Sequence, residues 1–175
     1  MSDADIFKSQ FYKYFSGLGR KDEFISRWKH IEVGSNSIFK PMRGTPLDEL
    51  FTRYMYFRRA QLGIRDTTTQ ALRDFYSRDN YAMLRDEKAL SDLENLLAFW
   101  QRVDACDGFS DGILRRFYVL KYAPNSMWTF FVSVWYLANG KPDGVVEDED
   151  ALLSFLDLIT GFIFAYAVER PGVNA

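Results

Sequence analysis

The chain has 175 residues, the length of one ordinary domain, and its 47% hydrophobic content excludes disordered and collagen-like proteins, because so much apolar surface must be hidden from water. With 22 basic and 24 acidic residues its formal charge is -2, so the overall field does not attract nucleic acid or anionic lipid. A single cysteine, Cys106, and a single histidine, His30, exclude an intramolecular disulfide and most histidine-dependent nuclease and metal sites.

Two helices are predicted in the first part of the chain. The first opens at Ser2, where Asp5 completes a capping box. Its apolar residues recur at helical spacing: Phe7, Phe11, Tyr14 and Leu18. The second carries Phe24, Ile25, Trp28 and Ile31 and is predicted to end near Val33, before the polar residues 34–37. We expect residues 1–44 to form a looser subregion.

A third helix has unusually complete start signals. Thr45 is suited to cap it, Pro46 fits the first helical position, and Asp48 favours the positive end of the helix dipole. The helix is predicted to run to about Leu62, with three arginines off its apolar stripe: Arg53, Arg58 and Arg59. A cap at residues 66–69 leads into a short helix with Leu72, Phe75 and Tyr76 on its buried side.

The second half of the chain predicts four more elements. A long helix from about Asp86 to Val103 repeats leucines at strict helical spacing. Residues 113–122 fit a helix or a strand, and we favour the helix. A helix capped by Asn125 or Ser126 is expected to have an aromatic inner face: Trp128, Phe131, Val132 and Trp135.

The last predicted helix follows a connector at Gly140–Gly144 and begins at about Glu149. It is apolar nearly all round, which is typical of the central member of a bundle. A short membrane span fits its length but is disfavoured, because Asp157 is costly in lipid. Residues 170–172 are predicted to end the ordered region.

Together these elements predict a single all-α domain over residues 1–175. We expect a bundle of about seven to eight helices, with orthogonal or mixed packing. The N-terminal sequence from Met1 to Asp5 is acidic and resembles no targeting signal. A cytoplasmic location without membrane association is therefore expected.

No residue pattern predicts catalysis. His30 stands alone, and the residue three positions before it is Arg27 rather than the glutamate of a helical di-metal site. Neither glycine-containing segment has the Lys and Ser or Thr that a phosphate-binding loop requires. Asp104, Asp107 and Asp111 fit turns better than a calcium loop. We therefore predict no catalytic, cofactor-binding or metal-binding residue in this chain.

Two groups of basic residues are candidates for nucleic-acid contact. The predicted set is Arg115, Arg116 and Lys121, because clustered cations neutralise phosphates. A second cluster contains Arg58, Arg59 and Arg65. In a chain of this net charge, ordinary solvated faces remain the alternative interpretation of both clusters.

Four strings in the sequence resemble a known family. They are SDADIFKSQFY (Ser2–Tyr12), DTTTQALRDFY (Asp66–Tyr76), LSDLENLLAFW (Leu90–Trp100) and LKYAPNSMW (Leu120–Trp128). In this order they resemble the helical part of a bacterial domain-of-unknown-function family known from GmrSD-type, modification-dependent (type IV) restriction endonucleases. None of the four strings is a catalytic signature.

The resemblance implies a larger protein around this segment. In the family, a ParB- or sulfiredoxin-like module with a DGQQR motif handles nucleotide, and a His-metal nuclease module cuts foreign or modified DNA. Neither motif occurs here, so the chain is expected to be an excised middle or C-terminal piece. Its expected partners are those two flanking modules and, in the full-length protein, DNA.

Two functions follow as expectations. The first is a non-catalytic helical scaffold that couples the modules of a DNA-defence protein. The second is an independent helical binding module, with a pocket between Trp128, Trp135 and the final helix for a small apolar ligand or a partner peptide.

Overall fold

The computed structural model describes residues 2–169, and this part of the chain contains no β-strand. Eight α-helices account for most of it, which confirms the predicted all-α, multi-helix bundle. The helices are α1 (Asp3–Gly17), α2 (Lys21–Ile38), α3 (Pro46–Gln61), α4 (Leu72–Tyr76), α5 (Glu87–Ala105), α6 (Asp111–Leu120), α7 (Trp128–Asn139) and α8 (Glu149–Glu169). The predicted chain end at residues 170–172 lies outside the described residues.

Helices α1 and α2 contribute an aromatic core. Their phenylalanines and Trp28 are at most 1% exposed and pack ring against ring: Phe7, Phe11, Phe15 and Phe24. Trp28 and Phe7 also contact Phe51 of α3. The segment that we expected to be looser therefore supplies some of the most completely buried side chains, and it is joined to the same core as α3.

Helix α2 is longer than predicted. It continues through the polar residues 34–37 to Ile38. The reason is tertiary: a Cβ at Gly34 would lie 2.8 Å from Leu97 Cδ2 of α5, and Ser35 is fully buried. Helices α2 and α5 meet closely at this point, so packing overrides the low helix propensity of glycine and serine.

Helix α3 has the predicted start and end. Thr45 accepts from the Asp48 backbone N–H at 3.2 Å and Asp48 accepts from Thr45 N–H at 2.8 Å, which completes a capping box. The prediction that all three arginines lie off the buried stripe is wrong for two of them. Arg53 and Arg59 are only 8% and 6% exposed, because α3 is surrounded by other helices.

Helix α7 faces the core differently from the predicted aromatic face. Trp128 and Val132 are buried as expected, but Phe131 is 39% exposed. Ser133 and Tyr136 face inward instead, and the Ser133 hydroxyl accepts a 2.9 Å hydrogen bond from Trp100 Nε1 of α5. The inner face of α7 therefore contains Ser133 and Tyr136 rather than Phe131. These residues contact α5.

Helix α8 lies at the periphery rather than at the centre. One stripe packs against α6 and α7: Leu152, Leu156, Ile159 and Ile163. The other side is open, with Leu158 69% and Phe162 64% exposed. The prediction of a central helix is wrong, because α8 is apolar nearly all round but its neighbours within the described part of the chain cover only one side of it.

Gly161 of α8 provides a simple test of this exposed face. A Cβ at this position would contact nothing within 4 Å, so Gly161→Ala is expected to raise the free energy of unfolding by about 0.5–1 kcal/mol through helix propensity alone. Urea denaturation of the 175-residue chain, monitored by circular dichroism, measures the change in the free energy of unfolding. A loss of stability would mean that another molecule packs against Gly161 in solution.

Candidate functional site

An apolar groove lies between α3, α7 and α8. It has a volume of about 820 Å³ and is open to solvent along one side. Its walls include Trp135, whose ring stacks on Phe155 at 6.0 Å between centroids. The remaining lining residues are Tyr56, Arg59, Ala60, Ile64, Arg65, Asp66, Phe131, Val134, Ala138, Asn139, Leu158, Ile159 and Phe162. An open apolar surface of this size is typical of a binding site.

The groove exists because α8 packs with only one of its sides against α6 and α7. The buried stripe of α8 makes this contact, and Arg116 of α6 adds an exposed ion pair by donating from Nε to Asp157 Oδ1 at 2.9 Å. This hydrogen bond raises the pKa of Arg116. Leu158 and Phe162 then lie on the side that faces α3, where no further helix of the described chain fills the gap.

One buried cation lies in the groove wall. Arg59 Nη2 donates to the Asp66 backbone carbonyl at 2.7 Å. Its Nη1 is buried and has no hydrogen-bond partner among residues 2–169. A guanidinium normally uses all five N–H donors, and a buried donor without a partner is costly. Arg59 therefore has spare hydrogen-bonding capacity next to an apolar surface.

A second, smaller pocket of about 170 Å³ surrounds Arg53 on the other side of α3. The guanidinium lies between the rings of Phe39 and Trp100, at 4.6 Å and 4.3 Å from their centroids. Glu49 accepts from Arg53 Nε at 2.9 Å. Burial lowers the pKa of Arg53, and the charge of Glu49 opposes this effect. This arrangement satisfies Arg53 within the chain, in contrast to Arg59.

The predicted nucleic-acid residues do not form one patch. Around the helix axis, Arg116 is rotated by about 100° from Arg115 in one direction, and Lys121 is rotated by about 120° from Arg115 in the opposite direction. Arg116 is engaged with Asp157, while Arg115 and Lys121 are exposed. The exposed neighbours on the face of Arg115 are Tyr118 and Tyr122, whose hydroxyls are 2.9 Å apart. Contact with DNA stays a prediction.

The other residues considered from the sequence lie apart from the groove. His30 is exposed on α2, and Cys106 is exposed at the C-cap of α5. Asp104, Asp107 and Asp111 are exposed around the turn that follows. In the described part of the chain, no group of three or more His, Cys, Asp or Glu side chains is placed to hold a metal ion.

The predicted pocket between Trp128, Trp135 and the last helix is found in part. Trp135 and α8 line the groove, whereas Trp128 faces the Arg53 pocket. The contribution of α3 to the groove was not predicted. Arg59 follows Phe51 and Met55 at intervals of four, so it falls on a buried stripe of α3. That spacing is the signal that could have identified it.

Helix α8 is also long and apolar enough to cross a membrane by length and composition, and 22% of its most apolar 18 residues are buried. Its apolar face is therefore exposed to whatever surrounds the chain.

No protein-family model, curated protein or solved structure matches the chain. The resemblance to the restriction-associated family accordingly stays a prediction, and the groove is the feature from which a function is argued.

Proposed function

We propose that this chain is a non-catalytic helical scaffold that couples neighbouring modules of a restriction-type DNA-defence protein in the cytoplasm. The observation that carries the proposal is the open apolar groove, bordered by the exposed side of α8. Such a surface is stable in water only at a cost and gains free energy when another protein surface covers it. The resemblance of the four strings supplies the context: modules for nucleotide use and DNA cleavage outside this chain.

The scaffold role predicts separate effects on folding and on coupling. In the full-length protein, replacing both Leu158 and Phe162 by glutamate is expected to reduce nucleotide-dependent DNA cleavage at least about tenfold, because charges in the groove oppose docking. Both side chains are exposed, so the 175-residue chain itself should keep its thermal stability. Cleavage of modified plasmid DNA and thermal melting measure the two effects.

The matched control is Val33→Glu, which adds a carboxylate at a residue 59% exposed on α2. This variant should cleave DNA like the wild type. Equal loss in both variants, or no loss in the groove variant, would contradict the scaffold role. So would metal-dependent nucleotide or DNA hydrolysis by the purified 175-residue chain that a single substitution abolishes.

The same groove also favours a second candidate function. Its volume of about 820 Å³ falls within the usual range of small-molecule pockets, roughly 300–1,000 Å³. An independent binding module would use it for a small apolar ligand or a peptide. Saturable binding of such a ligand by the isolated chain, without any effect of Leu158→Glu on DNA cleavage, would favour this function over the scaffold.

A further inference from the structure

The charges that line the groove are unequal. Two cations, Arg59 and Arg65, and one carboxylate, Asp66, are among the lining residues. Arg59 is only 6% exposed. Its Nη2 donates to the backbone carbonyl of Asp66, which is neutral, rather than to a carboxylate. Its Nη1 is buried without a hydrogen-bond partner among the described residues, so Arg59, which lines the groove, has a donor that the described chain leaves unsatisfied. A carboxylate is the group that matches a guanidinium best.

The apolar surface extends further than a small ligand would cover. From Leu158 and Phe162 in the groove it continues one turn further along α8 to Tyr166, whose ring stacks on that of Phe162 at 6.2 Å. The helix from Leu158 to Tyr166 is about 12 Å long. A ligand with the length of several helical turns would cover both the groove and this extension.

We propose that the groove binds an amphipathic α-helix of a partner module whose apolar face is flanked by an acidic side chain that pairs with Arg59. This inference rests on the proposed scaffold function and specifies the chemistry of the surface that docks. The partner helix would place apolar residues at every third or fourth position between α3 and α8. Its Asp or Glu would lie at the edge of that stripe nearest α3.

The pairing with Arg59 would decide which helix binds. An apolar helix with a neutral side chain at that edge leaves the buried Nη1 without an acceptor, and a lysine there adds repulsion. Helices with the same apolar face are thus distinguished by one residue. Because Arg59 is largely buried, added salt should weaken this preference less than it weakens an exposed ion pair.

The test uses three synthetic helical peptides of about 18 residues, or roughly five turns, added to the 175-residue chain. They share one leucine stripe and differ only at the flanking position, which is Glu, Gln or Lys. By fluorescence anisotropy, the Glu peptide is expected to bind about tenfold more tightly than the Lys peptide. In Arg59→Gln, this difference should shrink to about twofold or less.

A second variant keeps the test valid if Arg59→Gln does not fold. Leu158→Glu changes an exposed residue that lines the same groove as Arg59, and its added carboxylate repels an acidic peptide, so the preference for the Glu peptide should be lost or reversed. Val33→Glu makes the same change of charge on α2, outside the residues that line the groove, and should retain the tenfold preference. A preference that survives in Leu158→Glu would overturn the proposal.

Other occupants give different results, each of which would also overturn the proposal. Equal binding of the three peptides would mean that Arg59 does not select an acid. Binding of dodecanoate without binding of any peptide would assign the groove to a small amphiphilic acid. Binding to phosphatidylcholine vesicles, lost in Leu158→Glu while no peptide binds, would assign it to a membrane. If neither the peptides nor dodecanoate nor the vesicles bind, the proposal of an acidic partner helix is also contradicted.

The outcome is separable from that of the proposed function. If the Glu preference is found but the groove variant of the full-length protein still cleaves DNA normally, the scaffold role is wrong and the chemistry of the groove stands. If cleavage is lost but the peptides show no preference, the scaffold role stands and its partner surface is not an acidic helix.

Discussion

Gly144→Ala is expected to lower the free energy of unfolding by about 3 kcal/mol or more, because the backbone has no room to accommodate a side chain. Gly144 has φ +75°, which L residues rarely adopt. An added Cβ would lie 2.5 Å from Phe99 N and 2.6 Å from Ala98 C. Both atoms belong to the backbone of α5, which cannot move away as a side-chain end would.

The consequence extends beyond Gly144 because the connector between α7 and α8 is bonded to its surroundings. The Tyr136 hydroxyl accepts from Gly144 N–H at 3.0 Å and donates to the Lys141 carbonyl at 2.6 Å. Its ring stacks on Phe99 at 4.4 Å, and burial raises the pKa of Tyr136 to about 12. Displacing Gly144 breaks this group of contacts, which holds the connector against α7 and α5.

Urea denaturation followed by tryptophan fluorescence measures the effect of Gly144→Ala. Gly161→Ala is the matched control, since the same substitution there enters open space. The two variants should change stability in opposite directions. A loss of less than about 1 kcal/mol in Gly144→Ala would contradict the close packing of the connector on α5.

Arg53→Ala is expected to lower the free energy of unfolding by about 2–4 kcal/mol, since it removes a buried cation and its packed stem. The Arg53 side chain fills the space between the rings of Phe39 and Trp100. It also neutralises Glu49, whose side chain is 22% exposed. The substitution leaves both a gap and a half-buried carboxylate, and thermal or urea unfolding of the chain measures the loss.

Two further variants separate the contributions. Arg53→Met keeps most of the stem, so it should recover part of the packing but leave Glu49 unpaired. Adding Glu49→Gln to Arg53→Met removes the uncompensated charge and should recover a further 1 kcal/mol or so, about the value of one exposed or half-buried charge pair. If Glu49→Gln has the same effect in the wild type and in Arg53→Met, the two side chains do not interact energetically.

Three arginines of this chain illustrate how differently one residue type is used. Arg53 is satisfied by two rings and Glu49, and it stabilises the fold. Arg116 forms an exposed ion pair with Asp157 of α8. Arg59 retains a buried donor that has no partner among residues 2–169 beside an apolar groove, which is why the proposed partner is defined by an acidic side chain.

The starts of the helices were predictable because their signals are local. Ser2 and Asp5 form the expected capping box, and Thr45 caps α3 as expected, since these bonds join residues a few positions apart. The extension of α2 to Ile38 was not predictable. It depends on α5, where Leu97 and Gln101 pack against Gly34, and no pattern near Gly34 contains that information.

The candidate site was predictable to a smaller extent. Trp135 and the last helix were expected at a pocket and do line the groove, because aromatic residues in an apolar helix are frequent in binding sites. Trp128 was expected there too, but it faces the Arg53 pocket. Arg59 was placed off the buried stripe, since a charge usually indicates a solvated face.

The amino-acid sequence alone predicts the helical content, the helix caps and, from the shortage of histidine and cysteine, the absence of catalytic residues. These predictions depend on residue type and near neighbours. Which apolar faces meet depends on the packing of the folded chain: α8 is apolar nearly all round, yet its neighbours among residues 2–169 cover only one side of it. Burial depends on how many surfaces are available to pack, and a helix cannot show in its own sequence whether a partner is present.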